Sequence, residues 1–387
     1  MKFMHTADWH LGKLIQGVYM TEDQACILQQ FIEDVQTEEP DAVIIAGDLY
    51  DRAVPPAEAV ELLNRTLEQL VLQLEVPVLA IAGHHDSPDR LDFGTNILAG
   101  QGLHLAGKMR PAFEPVVLRD EHGEVHFHLV PYADPAQVRH LLQDESIRSH
   151  DEAMEAIVAA ISKNMDPKAR HVFVGHAFVT PDGEKRSNTS DAERPLSIGG
   201  AEHVKAAHFK PFHYTALGHL HQAHAVGNDR IRYAGSPLKY SVSEANHHKG
   251  YYVVQIDGEG EIITEKKQLT PRRDMRRIEA RMEEIEMHEP SDDYVFVTLL
   301  DEHPVLFPME KVRAVYPNAL HVERKLSISF SEDSAGGAQA AGKREQDPVR
   351  LFAAFYEEVK GVPLDEAKRQ IFEDVLEELR REEGEWR

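Results

Sequence analysis

Short apolar runs and longer amphipathic stretches alternate through the first part of the chain. Three runs have the continuous apolar character of buried strands: 2–7, 41–48 and 76–83. The stretches between them, 21–39 and 55–74, place apolar residues at helical spacing, and Thr21 with Gln24 forms a capping-box pattern at the start of the first. The order strand, helix, strand, helix, strand predicts an α/β fold with a partly parallel sheet.

A second group of apolar runs follows and predicts a second sheet packed on the first. Its runs are 125–132, 170–176, 214–220, 230–236 and 250–257, and a long polar loop lies at 180–200. These runs belong to a first domain that we expect over 1–270. The shorter helical and strand-like stretches that follow predict a small α+β domain over 271–330.

The last part of the chain changes character twice. Residues 331–348 contain few bulky apolar residues, which predicts a flexible linker. Residues 349–387 form two helical patterns whose apolar faces are Leu351, Phe352, Phe355 and Tyr356, and Ile371, Phe372, Val375, Leu376 and Leu379. A short helical hairpin buries little surface alone, so we expect it to bind a partner; the alternative is that it packs on its own domain.

Composition limits the classes of function. The net charge is −24, which argues against broad non-specific binding of nucleic acid but leaves room for a substrate held by metal ions and a few arginines. A single cysteine, Cys26, excludes an internal disulfide and a multi-cysteine zinc site. There is no apolar run of about 18 residues and no signal-peptide pattern, so we expect no membrane span and a cytoplasmic location.

Five short motifs combine carboxylates and imidazoles at positions where strands end. They are "ADWH" (Asp8, His10), "GDLYD" (Asp48, Asp51), "GHHD" (His84, His85, Asp86), "GH" (His176) and "GHLH" (His219, His221). Each alone is weak, because a turn, a helix cap or a polar loop gives the same letters. All five in order, each after an apolar run, indicate a site for divalent Mn, Fe or Zn at the strand ends.

The order of these motifs resembles the signature of the calcineurin-like metallophosphoesterases. A finer resemblance is to the SbcD-type nuclease subunits, carried by "HTADWHLGK", "IAGDLYDRAVPP", "HDSPDRL", "ERPLSIGGAEHV", "TALGHLHQAH" and "YAGSPLKYS". It covers the first domain well and the rest more loosely. The resemblance implies a two-sheet α/β sandwich flanked by helices, with a small α+β capping domain and a C-terminal helical hairpin.

The resemblance also implies a role for each motif residue. Asp8, His10 and His221 would hold one ion, and His176 and His219 would hold the other together with residue 84. Asp48 would bridge the two ions. The ions that the resemblance implies are Mn²⁺. His85 would contact the scissile phosphate, and Asp86 would orient His85. Asp51 would support the loop rather than bind metal.

Position 84 departs from the family pattern, which has asparagine there. His84 Nδ1 lies the same number of bonds from the backbone as the asparagine oxygen, so it has the reach of a ligand. Three outcomes are open: His84 preserves activity, changes the metal preference, or weakens the second ion's site.

Six basic residues are candidates for contact with DNA: Lys13, Arg52, Arg90, Lys185, Arg186 and Arg194. The alternative for each is an ordinary solvated charge. Other histidines are expected to lie outside the site, because they fall on a hairpin or lack a partner at ligand spacing: His122, His126, His128, His203, His208, His213, His247 and His248. His224 follows "GHLHQ"; we expect it at the surface, and the alternative is a position that supports the metal ligands.

The leading hypothesis is therefore a Mn²⁺-dependent DNA nuclease. The resemblance implies a 3′ to 5′ double-strand exonuclease and a single-strand and hairpin endonuclease, acting in double-strand break processing, replication and recombination. It also implies an SMC-like ATPase partner of SbcC type, and a homodimer within a heterotetramer, for which helix 55–74 is a candidate contact. Two rivals are another metallophosphoesterase, such as a nucleotide or phosphoprotein phosphatase, and a scaffold whose site His84 disables.

Overall fold

The computed structural model describes residues 1–183, 190–191, 193, 202–325, 348–360 and 362–384. It separates into two compact units, Met1–Arg324 and Lys325–Arg387. Among the described helices, none has the length and apolar character needed to cross a membrane. The division into four segments made from the sequence remains a prediction.

The elements of the first unit alternate much as the apolar pattern predicts. Its strands are β1 (Lys2–Thr6), β2 (Leu14–Ile15), β3 (Val18–Tyr19), β4 (Ala42–Ile45), β5 (Val78–Ile81), β6 (Leu103–Ala106), β7 (Val116–Asp120), β8 (Gly123–Val130), β9 (Arg170–His176), β10 (Phe178–Thr180), β11 (His203–Lys205), β12 (Tyr214–Gly218), β13 (His224–Val226), β14 (Asn228–Tyr233), β15 (Gly250–Ile256), β16 (Ile262–Gln268), β17 (Met275–Ala280), β18 (Tyr294–Leu299) and β19 (Ala319–Arg324). Its helices are α1 (Thr21–Glu38), α2 (Ala57–Glu68), α3 (Pro88–Leu91), α4 (Thr95–Leu98), α5 (Pro135–Leu142), α6 (His150–Ser162), α7 (Met282–Ile285) and α8 (Pro308–Val315).

Two six-stranded sheets form the body of this unit. The first has the order β16-β15-β1-β4-β5-β6, in which β1, β4, β5 and β6 run parallel. The second has the order β13-β14-β12-β9-β8-β7, with β8, β9, β12 and β14 parallel. The predicted hairpin with His122 in its turn is present as the antiparallel pair β7 and β8.

The alternation of side chains along β4 shows why the two sheets stack. Ala42 and Ile44 enter an apolar cluster between the sheets, together with Phe127 of the second sheet. Val43 and Ile45 point the other way, into the cluster that covers α1 and α2. A strand buried on both faces has no polar face, which explains its continuous apolar run. The two-sheet α/β sandwich flanked by helices is confirmed.

A smaller three-stranded sheet closes the first unit. Strands β17, β18 and β19 pair in parallel, with α7 and α8 as the intervening helices. Its own apolar cluster includes Ile285, Val295, Val297 and Val312. This sheet occupies most of the segment 271–330 for which the sequence predicts a small domain.

The second unit contains α9 (Pro348–Lys360) and α10 (Glu366–Gly384). The Phe352 and Phe372 rings stack with centroids 3.9 Å apart, so the two helices contact each other through their apolar faces. Other residues of those faces are exposed: Leu351, Phe355, Ile371, Val375 and Leu379. The predicted linker, apart from residue 348, lies outside the described residues.

The predicted capping box at α1 is wrong. Helix α1 begins at Thr21 without a side-chain cap. Gln24 is buried instead, and its Nε2 donates to the His10 carbonyl oxygen (2.8 Å) while its Oε1 accepts from the Gly12 amide (3.0 Å). These backbone groups are buried and need hydrogen-bond partners, so the Gln24 side chain bonds to them instead of capping the helix.

Candidate metal centre

The five motifs meet at one edge of the sandwich. Asp8 and His10 follow β1, Asp48 follows β4, and His84 follows β5. These three strands are parallel, so their carboxyl ends lie side by side. His176 ends β9, and His219 and His221 follow β12, its parallel neighbour in the second sheet. Stacking the sheets brings both sets of strand ends together.

The backbone at several of these residues adopts the left-handed region. The φ angles are +54° at Asp8, +46° at His10, +50° at Asp48 and +105° at His219. Such angles are uncommon outside glycine and cost about 1 kcal/mol or more each. Surrounding contacts hold the strained turns, which direct the side chains into one buried pocket.

Glycines beside the motifs allow close approach of the loops. A Cβ on Gly83 would overlap the Asp48 carboxylate, and a Cβ on Gly47 would overlap the His176 ring. A Cβ on Gly218 would collide with the Ala46 carbonyl oxygen. The glycines that precede three of the motifs are therefore required by packing between the loops.

Asp8, His10 and His221 form one group of potential ligands. One ligand atom from each lies within 4.8 Å of the others, and His10 Nε2 lies 3.1 Å from His221 Nε2. All three residues are buried. The Asp8 carboxylate also accepts from the His219 amide at 2.9 Å, which fixes its position relative to the second group.

His84, His176 and His219 form the second group. His84 Nδ1 lies 3.0 Å from His176 Nε2, and the three ligand atoms lie within 4.8 Å of one another. The Nδ1 atom of His219 is buried and has no hydrogen-bond partner among the described residues. His84 therefore stands with the histidines, as expected of a residue in a ligand position.

Asp48 lies between the two groups. Its Oδ2 is 3.2 Å from His84 Nδ1, 3.3 Å from His176 Nε2 and 3.7 Å from His10 Nε2. Its Oδ1 accepts from the His85 amide at 2.9 Å. One carboxylate thus contacts members of both groups, which is the arrangement expected of a bridge.

The electrostatics of the pocket favour a cation beside Asp48. Burial alone would raise the pKa of Asp48, but His176 and His84 hold that pKa well below its usual range. Burial alone would lower the pKa of His176, but Asp48 and Asp8 raise it to about 9. The Asp48 carboxylate and the His176 ring thus stabilise each other's charged forms.

The donor set fits divalent transition metals. Two nitrogens bound to one ion at about 2.0–2.1 Å are separated by about 3 Å, as are those of His10 and His221 and those of His84 and His176. Imidazole nitrogens with carboxylate oxygens suit Mn, Fe or Zn, and the pocket contributes no thiolate from the described residues.

The contacts of Asp86 differ from the role predicted for it. Its carboxylate accepts backbone hydrogen bonds from Leu49 (3.1 Å), Tyr50 (2.9 Å) and Gly83 (2.9 Å). His85 Nδ1 lies 2.7 Å from the Asp51 carbonyl oxygen. We therefore correct the prediction: the Asp51 carbonyl orients the His85 ring, and Asp86 joins the β4 and β5 loops.

The basic candidates fall into three kinds. Lys13 Nζ lies 2.8 Å from Asp51 Oδ1 in a largely buried ion pair, and its contact with DNA stays a prediction. Arg52 and Arg90 are exposed. Lys185, Arg186 and Arg194 lie outside the described residues.

Two residues of the pocket were missed from the sequence. Glu244 is completely buried, and its Oε1 lies 2.8 Å from His221 Nδ1. Lys249 is also buried and donates to Glu244 Oε2 at 2.6 Å. Both lie in a polar segment, "SEANHHKG", where neither spacing nor apolar pattern distinguishes them from surface residues.

Comparisons with known proteins agree with this geometry. A family model described as calcineurin-like phosphoesterase matches residues 1–223, and one described as type 5 capsule protein repressor C-terminal domain matches 271–360. The SbcD subunit of the SbcCD nuclease of Staphylococcus epidermidis is 32% identical over 388 residues, covering 99% of this chain and 100% of that protein.

Two solved structures are more distant, each at 11% identity. A Thermus thermophilus protein has a TM-score of 0.36 over 68% of this chain and 98% of its own. A dimetal phosphatase from Danio rerio has a TM-score of 0.39 over 69% and 96%. At these scores the assignment depends on the family models and the Staphylococcus relative alone.

The calcineurin-like phosphoesterase fold implies a site for two metal ions, and the two ligand groups around Asp48 fit it. The similarity to the Staphylococcus protein extends over nearly the whole of both chains. The chain therefore belongs to the calcineurin-like phosphoesterase family and, within it, to the SbcD nuclease subunits.

Proposed function

We propose that this protein is the metal-dependent nuclease subunit of a DNA-processing complex and hydrolyses phosphodiester bonds. The observation that carries the proposal is the buried Asp48 carboxylate in contact with two groups of potential ligands at the strand ends. The relative named as part of a nuclease, similar over the full length, supports DNA as the substrate.

In this proposal Asp8, His10 and His221 hold one ion, and His84, His176 and His219 hold the other, with Asp48 between them. Two divalent ions, when bound, would neutralise the phosphodiester and promote attack by water. We propose Mn²⁺ as the natural ion, since the set mixes hard carboxylate oxygens with imidazoles.

His85 would be the catalytic residue that contacts the substrate. Its Nδ1 faces the Asp51 carbonyl, which accepts only, so Nδ1 carries a proton and donates it. The proton that passes to the leaving oxygen would come from Nε2 of the same ring. The ring lies between His10 and His84, with centroids 4.7 and 4.4 Å away, so its orientation is restricted on both sides.

A direct test uses two substrates with Mn²⁺: a labelled hairpin DNA and p-nitrophenyl phosphate. We expect cleavage of the hairpin and exonucleolytic shortening of linear duplex from its 3′ ends. His85→Gln should lower DNA cleavage by about 100-fold or more, within the range for a general acid, with metal binding retained. Hydrolysis of the small ester alone would contradict a nuclease and favour a phosphatase.

The same proposal includes an SMC-like ATPase partner of SbcC type, a homodimer within a heterotetramer, and action in the cytoplasm on breaks, replication and recombination intermediates. The exposed apolar residues of α9 and α10 support the ATPase contact. Leu351→Glu with Phe355→Glu should abolish copurification with the ATPase and leave hairpin cleavage by the isolated nuclease chain unchanged. Retained copurification would exclude α9 as the contact.

Arg52 and Arg90 are the described cations that we propose for DNA contact, and Lys185, Arg186 and Arg194 are proposed on sequence alone. Arg52→Gln with Arg90→Gln should weaken DNA binding and reduce its salt dependence. The check is binding of a duplex at several salt concentrations, with Arg119→Gln, an exposed arginine on β7, as a matched control. Equal loss of DNA binding in the Arg52/Arg90 variant and in the Arg119 variant would contradict a specific DNA contact by Arg52 and Arg90.

A further inference from the structure

Glu244 and Lys249 form a buried ion pair behind the proposed metal ligand His221. Glu244 lies in the turn Val242–Glu244, and Lys249 directly precedes β15 of the first sheet. His221 follows β12 of the second sheet. The pair therefore joins the loop that carries His221 to the sheet that carries Asp8 and His10.

Every polar atom of this pair has a partner. Glu244 Oε1 lies 2.8 Å from His221 Nδ1 and accepts from Ser190 Oγ at 2.9 Å. Its Oε2 accepts from Lys249 Nζ at 2.6 Å and from the Tyr240 amide at 3.2 Å. Lys249 Nζ also donates to the His221 carbonyl oxygen at 2.9 Å and to Ser236 Oγ at 2.8 Å.

These contacts determine the tautomer of His221. Three donors other than His221 meet Glu244, namely Ser190 Oγ, Lys249 Nζ and the Tyr240 amide, and a carboxylate so placed is ionised and only accepts. In the neutral His221 ring the proton therefore lies on Nδ1, and the lone pair on Nε2 faces His10 and Asp8. Lys249 holds the backbone of the same histidine, so both the ring and its main chain are fixed.

Two other histidines of the pocket have backbone carbonyls as partners of Nδ1. His176 Nδ1 lies 3.0 Å from the Ala46 carbonyl oxygen, and His85 Nδ1 lies 2.7 Å from the Asp51 carbonyl oxygen. His221 is oriented by an ionised carboxylate instead. A carboxylate partner makes an imidazole a stronger donor to metal than a carbonyl does, and loss of such a partner typically lowers metal affinity by about 10–100-fold.

We propose that Glu244, held by Lys249, is a positioning residue that fixes the Nδ1–H tautomer of His221 and thereby sets the affinity of one of the two metal sites. This inference rests on the proposed metal centre. The competing explanation is a purely structural ion pair, which would stabilise the fold without affecting one ion more than the other.

Two double variants separate these explanations. Glu244→Gln/Lys249→Met removes both buried charges but keeps an acceptor for His221 Nδ1. Glu244→Met/Lys249→Met removes the charges and the acceptor. Because neither leaves an unpaired buried charge, the large penalty of breaking one partner of an ion pair is avoided in both.

The readout is binding of Mn²⁺, measured by equilibrium dialysis and elemental analysis, with thermal unfolding of the same samples. We expect the Met/Met variant to bind one ion about 10–100-fold more weakly than wild type and the other ion unchanged. The Gln/Met variant should lose less affinity at the same site. Equal binding curves for the two double variants would overturn the proposal, as would equal weakening of both ions.

The tautomer of His221 is measured separately by ¹⁵N NMR of the histidine rings in the metal-free protein. We expect Nδ1–H in wild type and in the Gln/Met variant. An Nε2–H tautomer in wild type would overturn the proposal whether or not the variants fold. Failure of wild type to bind any ion would instead overturn the proposed metal centre.

Discussion

The imidazole nitrogens of His10 and His221 lie 3.1 Å apart, and those of His128 and His171 are separated by the same distance. The first pair has the Asp8 and Asp48 carboxylates as neighbours. The pair of His128 and His171 has aromatic rings and a backbone carbonyl as neighbours, since His171 Nε2 lies 2.8 Å from the Asp166 carbonyl oxygen. Within the described part of the chain, only the first pair belongs to a group with the spacing of metal ligands.

Position in the strands accounts for this difference. His128 lies within β8 and His171 within β9, where side chains stand on the sheet face at fixed separations. The ligand groups lie at strand ends, where left-handed backbone turns aim residues from several strands at one point. Close histidines are thus insufficient for a metal site; carboxylates and converging loops are also needed.

The largest effect is expected from Asp48→Asn. The substitution keeps the shape but removes the charge shared by both ligand groups, so Mn²⁺-dependent cleavage of hairpin DNA should fall by more than about 100-fold, beyond the loss typical for a supporting residue. His128→Gln, in the other histidine pair, should change cleavage by less than about twofold. Similar losses in both would remove the functional distinction between the pairs.

The second-largest effect is expected from Gly83→Ala. The added Cβ would overlap the Asp48 carboxylate, so Asp48 must move, and we expect a loss of cleavage of about 10-fold or more with a destabilisation of about 1–3 kcal/mol. Gly100→Ala is the matched control, because nothing lies within 4 Å of its added Cβ. Cleavage rates and denaturant unfolding measure both effects; full activity of Gly83→Ala would contradict the packing argument.

The His84→Asn variant tests whether the imidazole at position 84 determines the metal preference of the site. Replacing an imidazole with an amide oxygen should shift preference from Zn²⁺ towards Mn²⁺ by about 10-fold, since softer ions favour nitrogen. Competition dialysis with both ions measures this shift. If the chain with His84 shows no Mn²⁺-dependent cleavage and the asparagine variant does, the protein with His84 is a weakened enzyme or a scaffold.

The smallest effect concerns acid stability of the second histidine pair. Burial, with a further contribution from His171 and His126, lowers the pKa of His128 to about 3. The unfolded state therefore binds more protons between about pH 3 and 6.5, so stability falls as pH falls through this window, by at most about 1.4 kcal/mol per pH unit from this group. His128→Gln should reduce that slope in denaturant unfolding at pH 5 against pH 7. An unchanged slope would contradict neutral burial of His128.

Much of the site was predictable because its chemistry is local in sequence. Asp8, His10, Asp48, His84, His176, His219 and His221 each follow or end a strand recognisable from its apolar run, and parallel strands place their carboxyl ends at one edge. The structure brings all seven together. Their assignment to individual ions remains a proposal.

The missed features depend on contacts between distant segments. The spacing of Gln24 to Thr21 predicts a helix cap, but the buried Gln24 side chain donates to the His10 carbonyl oxygen instead. The sequence predicts that Asp86 orients its neighbour His85, but the Asp86 carboxylate accepts from backbone amides of the loop after β4. Local pattern cannot show which buried backbone group lacks a partner.

The sequence alone determined the strand ends, the glycine turns and the kinds of ligand, because side-chain periodicity and motif order are properties of neighbouring residues. The tertiary structure decided that Asp48 contacts both ligand groups, that Asp51 contributes its carbonyl to His85, and that Glu244 and Lys249 hold His221. These contacts depend on how two sheets stack and on which buried polar atoms then require partners.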